Sequence, residues 1–118
     1  MTDEKERESA DLIHPTAIID PRAEIGKGVK IGPYAVIGPN VKIGDGTEIM
    51  SHVVIDGWTT IGKDCRFFPS ASIGSEPQDL KFNGEKSYVI IGDRSVFREF
   101  VTVSRATGEG EETRIGND

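Results

Sequence analysis

The chain of 118 residues contains one cysteine, one tryptophan and few aromatic residues in total. Because a disulfide needs two cysteines and Cys65 is the single one, an internal disulfide is excluded. A single free cysteine fits a reducing compartment. No apolar run approaches the length of about 20 residues that a membrane-spanning helix requires. These absences lead us to expect a cytoplasmic protein with no stable membrane insertion.

Positive charge is also scarce, since 14 Lys and Arg residues stand against 20 Asp and Glu residues and the net charge is −6. An acidic chain without a basic cluster repels a phosphate backbone, so nucleic-acid binding is not expected. The opening stretch MTDEKERESADL is mostly charged and lacks the apolar core of a signal peptide. We expect residues 1–12 to form a solvated arm ahead of one domain, residues 13–118.

Isoleucine, in contrast, is abundant and regularly spaced. From Ile13 to Ile73 a large apolar residue stands at every sixth position, and the same phase resumes at Ile91. This period matches neither a helix nor a single strand and indicates a hexapeptide repeat. Two positions before each large residue is a small or β-branched one, such as Ala35 or Val41. Residues two apart on a strand share a face, so each hexad offers one large and one small inward side chain.

Glycine follows the large residue in most hexads, as at Gly26, Gly44 and Gly62. We expect it at corners because it lacks a Cβ and can adopt unusual dihedral angles. Strands joined by corners every six residues predict an all-β solenoid of triangular section with three hexads in each coil. Handedness does not follow from the spacing, although parallel crossovers in general are right-handed.

The stretch SEPQDLKFNGEKSYV, residues 75–89, interrupts the repeat. The distance from Ile73 to Ile91 is 18 residues, one coil in length, so the phase is kept. Within it the large apolar position falls on Asp79 and Glu85, and carboxylates cannot lie unpaired in an apolar core. We therefore expect one extruded loop that replaces a coil's length of the wall.

The units IGKGVK, IGPYAV, IGPNVK and IGDGTE resemble those of the hexapeptide-repeat acyltransferases. The QDLK segment and the restart IGDRSVFREFVTV resemble, more specifically, the acyl-carrier-protein–UDP-N-acetylglucosamine O-acyltransferases over about residues 13–118. The resemblance implies a left-handed parallel β-helix and a homotrimer that needs no metal or organic cofactor. It also implies transfer of a 3-hydroxyacyl chain from acyl carrier protein to the 3-hydroxyl of UDP-N-acetylglucosamine, the first step of lipid A biosynthesis.

The same resemblance assigns substrate-binding roles to Asp79 and Gln78, with Lys81 beside them. A carboxylate can accept hydrogen bonds from sugar hydroxyls, and a lysine can meet a phosphate or an acidic group of the carrier protein. Ser104, in the segment VSRAT, stands where the family usually has a histidine near the substrate cleft. A serine can hydrogen-bond there but cannot titrate near neutral pH.

No catalytic residue is assigned within the chain. The family's general base belongs to a His-x-x-His unit, which we expect beyond Asp118, so the chain alone should be inactive and its β-helix incomplete at the C-terminal end. Its own histidines, His14 and His52, are interpreted as structural. They stand 38 residues apart, which two coils would separate by about 10 Å, too far to share a metal ion.

Five other residues are interpreted without a catalytic role. Arg98, Glu99 and Arg105 are assigned to an intersubunit or surface charge set, Cys65 to core packing, and Trp58 to an exterior or interface aromatic position. Two alternative functions stay open. One is another hexapeptide transferase, such as UDP-3-O-acylglucosamine N-acyltransferase, and the other is a non-catalytic β-solenoid scaffold.

Overall fold

The computed structural model describes residues 12–76, 84 and 86–118. Within these residues every named element is a short β-strand. The strands are β1 (Ile18–Ile19), β2 (Glu24–Ile25), β3 (Lys30–Ile31), β4 (Val36–Ile37), β5 (Val41–Ile43), β6 (Glu48–Ile49), β7 (Val54–Ile55), β8 (Trp58–Ile61), β9 (Arg66–Phe67), β10 (Ser72–Ser75), β11 (Tyr88–Ile91), β12 (Val96–Phe97), β13 (Thr102–Ser104) and β14 (Glu112–Ile115). In this described part, no helix has the length and apolar character needed to cross a membrane.

The strands form three parallel sheets, because each strand pairs with strands three places away in the chain. The first sheet has the order β1-β4-β7-β10-β13, the second β14-β11-β8-β5-β2 and the third β12-β9-β6-β3. Up to β10 the paired residues are 18 positions apart, as where Val36 pairs with both Ile18 and Val54. The chain therefore winds as a parallel β-helix with one sheet on each of three faces.

The core consists of the two inward registers that the sequence predicts. In the large register, Ile37 and Ile55 stack on successive coils and are buried. In the small register, Ala35 and Val53 are buried beside them, and Cys65 continues this register as predicted. The prediction of an apolar interior made of one large and one small side chain per hexad is confirmed.

The corners differ from the prediction in their backbone geometry. The corner glycines Gly26, Gly44 and Gly62 are not among the residues with positive φ, and Gly74 is an exception. Positive φ values occur two positions later instead, at Gly28, Tyr34 and His52. The corner glycine is needed for a different reason, because a Cβ on Gly44 would lie 2.5 Å from the carbonyl oxygen of Gly62 on the next coil. Close stacking of the coils, and not an unusual dihedral angle, requires glycine here.

The structure also corrects the size of the interruption. Trp58 pairs directly with Tyr88, and Phe67 with Phe97, so the partners are 30 positions apart in both pairs. Since an ordinary coil has 18 residues, the interruption adds 12, between the end of β10 and the start of β11. The expectation that the loop replaces a coil's length of wall is wrong, because β11 takes the wall position that directly follows β10.

A second, shorter interruption follows β13. Ile91 pairs with Ile115, which is 24 positions away and so adds six residues to the coil. We call residues 76–87 the long excursion and residues 105–111 the short excursion. Both leave the first sheet and return to the second sheet, on neighbouring coils. The two excursions therefore start and end at the same corner of the β-helix, on neighbouring coils.

Candidate functional site

This corner, which we call the loop corner, is built from four segments on three successive coils. They are residues 57–58, 74–76, 86–88 and 104–106. On the first of these coils the chain turns from β7 to β8 through only two residues. On the next two coils it makes the long and then the short excursion, so polar side chains from three levels of the β-helix converge here.

Residues of the short excursion form hydrogen bonds with the residues at which the chain returns from the long excursion to β11. The backbone N–H of Lys86 donates to the Glu109 carboxylate over 2.6 Å, and its carbonyl accepts from the Gly110 N–H over 2.8 Å. The next residue, Ser87, is completely buried and donates its hydroxyl to the carbonyl of Ala106. Because this buried hydroxyl is paired, the return point can lie inside the protein without an unsatisfied polar group.

Arg105 lies where the long excursion begins. Its side chain is only 10% exposed. Its Nη1 donates to the carbonyl of Gly74 over 3.4 Å, and its Nη2 lies 3.9 Å from the Glu76 carboxylate. The centre of the guanidinium is 5.4 Å from the centroid of the Trp58 ring. Of the interpretation of Arg105 as an intersubunit or surface charge, the surface alternative is therefore wrong, whereas the ion-paired Arg98 is exposed.

Two aromatic side chains stand next to the loop corner on the outer face of the second sheet. Trp58 and Tyr88 are paired residues on β8 and β11, and the Lys86 Nζ lies 5.5 Å and 5.8 Å from their ring centroids. Trp58 thus occupies the exterior position that the sequence indicates. The rings border an open groove of about 420 Å³, also lined by Arg22, Glu24, Pro39, Asn40, Val41, Lys42 and Thr60.

The groove carries both signs of charge. At one end Arg22 donates hydrogen bonds to Asp20, and these bonds hold the pKa of the Asp20 carboxyl below its ordinary value. Further along, Lys42 and Glu24 form an exposed ion pair over 3.6 Å. The groove therefore offers aromatic faces and hydrogen-bonding groups with its charges largely matched.

Ser104 is the predicted substrate-binding residue that falls within the described part of the chain. It ends β13, is half-buried and pairs with Ser75, the last residue before the long excursion. Its carbonyl accepts a hydrogen bond from the Thr113 hydroxyl over 3.1 Å. Ser104 thus lies at the loop corner. The other three predicted residues, Gln78, Asp79 and Lys81, lie outside the described residues.

Both histidines lie away from the loop corner, at the corner between the third and first sheets. His14 is exposed, and its Nδ1 lies 2.8 Å from the Thr16 hydroxyl. His52 is exposed at a left-handed position, φ 59°, and its ring centroid is 5.3 Å from that of Tyr34. These surroundings agree with structural roles. Among the described residues, no three potential metal ligands come close enough together to hold an ion.

Two features of the loop corner were not predicted from the sequence, namely the short excursion and the burial of Arg105. A signal for the first was present. Between Val103 and Ile115 the large apolar position falls on Glu109, which indicates one hexad in excess of the wall. The burial of Arg105 had no such signal, because its partners come from other coils.

Comparison with known proteins places this architecture in a family. A family model described as the GMPPB C-terminal domain matches residues 13–108. The chain belongs to this family. The name of this family refers to a domain and not to a reaction.

Those relatives carry a common name. The acyl-[acyl-carrier-protein]–UDP-N-acetylglucosamine O-acyltransferase of Chlamydia caviae is 52% identical over 106 residues, which are 90% of this chain and 38% of the relative. LpxA from Acinetobacter baumannii is 48% identical with a TM-score of 0.87, covering 91% of this chain and 42% of that one. LpxA, a UDP-N-acetylglucosamine acyltransferase from Bacteroides fragilis, is 45% identical with a TM-score of 0.85, covering 89% and 41%.

These similarities confirm the resemblance to the UDP-N-acetylglucosamine O-acyltransferases that the QDLK segment indicated. The fold is the left-handed parallel β-helix of the LpxA structures. Left-handedness is thus a property of the family, and the general preference for right-handed crossovers does not hold here. The chain spans about two fifths of the length of the relatives that it matches.

Proposed function

We propose that the protein transfers a 3-hydroxyacyl chain from acyl carrier protein to the 3-hydroxyl of UDP-N-acetylglucosamine, the first step of lipid A biosynthesis. The observation that carries this proposal is the 52% identity, over 90% of the chain, to a protein whose name states these two substrates. The chain's own contribution to the reaction is the binding of the nucleotide sugar at the loop corner.

The loop corner supports this role because Ser104 lies there, next to the start of the segment that carries the other proposed substrate-binding residues. Ser104 lies beside Ser75, from which the chain continues toward Gln78 and Asp79. In the proposal, Asp79 and Gln78 hydrogen-bond the sugar and Lys81 meets a phosphate or an acidic group of the carrier protein. Ser104 contributes a hydroxyl and no proton transfer.

The chemistry also needs a general base for the sugar hydroxyl and donors for the oxyanion of the tetrahedral intermediate. Neither role is assigned to a residue of this chain, since His14 and His52 lie at another corner. The base is a histidine outside these 118 residues in our proposal. No metal or organic cofactor takes part in it.

We further propose that the protein acts as a homotrimer. The support is an apolar column on the outer face of the first sheet, where Ile18, Val36 and Val54 stack in register and are 66%, 37% and 38% exposed. Such a continuous apolar strip on a sheet suits burial against another copy of the chain. The proposed location is the cytoplasm, which agrees with the free thiol of Cys65.

A segment exchange tests the proposed function. Residues 13–108 replace the matching segment of the Bacteroides fragilis acyltransferase, which is 45% identical to this chain. We expect the folded chimera to acylate UDP-N-acetylglucosamine, and we expect Asp79→Asn to raise its KM for this sugar about tenfold, because a hydrogen bond to a charged group is lost. The matched control is Asp64→Asn, an exposed carboxylate at a different corner.

Each outcome of the segment exchange bears on one part of the proposal. A chimera that is folded and trimeric but transfers no acyl chain contradicts the proposed function and favours the non-catalytic scaffold. Equal KM values for Asp79→Asn and Asp64→Asn contradict the role of Asp79 alone. The 118-residue chain is expected to show no turnover by itself, and measurable turnover would show that the base lies within it.

A further inference from the structure

We propose that Arg105 is a positioning residue, which fixes the point where the long excursion leaves the β-helix and so sets where the nucleotide-sugar-binding segment begins. This inference rests on the proposed function, because it concerns the segment that carries Gln78 and Asp79. It assigns a role to a side chain that the sequence suggests is an intersubunit or surface charge.

The contacts of Arg105 lie at an irregular point of the backbone. The backbone register shifts between Ile73 and Ser75, and Gly74 between them has a φ of 81°. Arg105 holds this irregular point from two sides. Its Nη1 bonds the Gly74 carbonyl, while its own backbone N–H donates to the carbonyl of Ser75 over 3.0 Å. One residue therefore binds two consecutive carbonyls at the start of the long excursion.

The space around the Arg105 guanidinium suits a planar group. Trp58 forms one wall of it, 5.4 Å from the guanidinium centre. On the neighbouring residue Gly57, a Cβ would lie 3.3 Å from Nη1, so glycine leaves room for the fork. A planar group with several donors fits between an aromatic ring and a carbonyl, which a single ammonium group cannot do equally well.

The positive charge of Arg105 is compensated by nearby oxygen atoms. Arg105 is 10% exposed, and the Glu76 carboxylate, 73% exposed, lies 3.9 Å from Nη2 at the mouth of the site. An arginine buried to this degree requires compensation from nearby carbonyl and carboxylate oxygens, and it receives both here. Glu76 is the first residue of the long excursion, so the ion pair joins Arg105 to the start of that segment.

Limited proteolysis of the 118-residue chain tests the anchoring directly. Arg105→Lys keeps the charge, the tryptic site and the backbone bond to Ser75, but a single ammonium group cannot hold the Gly74 carbonyl and the Glu76 carboxylate as the guanidinium does. We expect trypsin to cleave after Lys81 about tenfold faster in this variant, since local opening at the loop corner becomes easier. The matched control is Arg114→Lys, an exposed arginine on β14 that is ion-paired to Glu112.

Cleavage after Lys42, on the β-helix wall, serves as the internal reference in the same digests. Faster cleavage after Lys81 with unchanged cleavage after Lys42 supports the proposal. Unchanged cleavage after Lys81, or equal acceleration at both sites, overturns it, because the second result means general destabilisation. The fluorescence of Trp58, which is the chain's single tryptophan, reports whether the corner itself has changed.

Kinetics of the chimera separate positioning from folding. In that protein we expect Arg105→Lys to raise the KM for UDP-N-acetylglucosamine about tenfold and to leave the KM for the acyl-carrier thioester unchanged, because misplacing a binding segment weakens one substrate only. A chimera without any transfer refutes the proposed function, and the proteolysis still decides the anchoring. An active chimera whose Arg105→Lys variant keeps its KM refutes the positioning role.

Discussion

Phe67 and Phe97 stack face to face in the core, with ring centroids 4.8 Å apart and ring planes at 4° to each other. They occupy neighbouring strands, β9 and β12, although 30 positions separate them in the sequence. Their contact shows that the coil carrying the long excursion closes with the same stacking as the other coils. The core is therefore continuous across the coil in which the long excursion occurs.

This stacking predicts a large effect of Phe67→Ala. The side chain is fully buried, and its removal leaves a cavity in a narrow core that cannot collapse easily. We expect the free energy of unfolding to fall by about 3–5 kcal/mol, measured by urea denaturation. The matched control is Phe68→Ala, whose ring faces outward with the Arg98 guanidinium 3.9 Å from its centroid. That contact contributes about 0.5–1 kcal/mol, and equal losses for the two variants would contradict the inward register.

The corner geometry predicts different costs for two glycine substitutions. Gly28 has a φ of 66° and open space around it, so Gly28→Ala should lose about 1 kcal/mol of unfolding free energy from backbone strain. Gly44→Ala places a Cβ 2.5 Å from the Gly62 carbonyl oxygen, and this backbone atom cannot move without separating the coils. We expect a loss of about 3 kcal/mol for this variant in the same denaturation experiment.

The ranking of the two variants is the decisive result. If Gly28→Ala is the more damaging one, then dihedral strain and not coil stacking limits these corners, as the sequence alone suggested. If Gly44→Ala is the more damaging one, then the distance between coils limits these corners.

The sequence predicts the inward registers well because their cause is local. Alternating side chains on a strand face opposite sides, so the period of six places Ile37 and Ile55 inside without any knowledge of distant contacts. The size of the excursions could not be predicted in this way. Additions of 6, 12 or 18 residues all preserve the phase, so the distance from Ile73 to Ile91 is compatible with a whole coil or with one hexad plus an excursion.

The loop corner was less predictable for a related reason. The resemblance placed Ser104 near the family's substrate cleft, and the structure puts it beside Ser75. Arg105 could not, since its burial depends on Gly57, Trp58 and Gly74 from two other coils. The residues that become neighbours on successive coils depend on the lengths of the two excursions. The phase of the repeat does not determine these lengths.

The buried thiol of Cys65 predicts a dependence of stability on alkaline pH. Burial raises the pKa of this thiol, whose Sγ lies 3.1 Å from the Gly92 carbonyl oxygen. A raised folded-state pKa means that this contribution to stability is fully present below the pKa of the unfolded thiol and is lost as pH rises through the folded-state pKa. We expect the unfolding free energy to decline above about pH 8.5.

The control for this prediction is Cys65→Ala, in which the part of the decline that is due to the thiol should vanish. Thiol-reactive reagents provide a second measurement at constant pH. The parent chain should react only as fast as its coils open, so added urea should accelerate the reaction. Immediate reaction of the native protein would contradict the burial of Cys65.

The apolar column on the first sheet predicts the association of the chain. Val36 is the middle residue of this column, 37% exposed, and it pairs with Ile18 on one side and Val54 on the other. We expect the parent chain to sediment as a trimer and Val36→Glu to sediment as a monomer at the same concentration, because a carboxylate buried in the interface would remain unpaired. The control is Thr60→Glu, an outward position on the second sheet, which should leave the trimer intact. If Thr60→Glu dissociates the chain and Val36→Glu does not, then the second sheet and not the first faces the neighbouring copy.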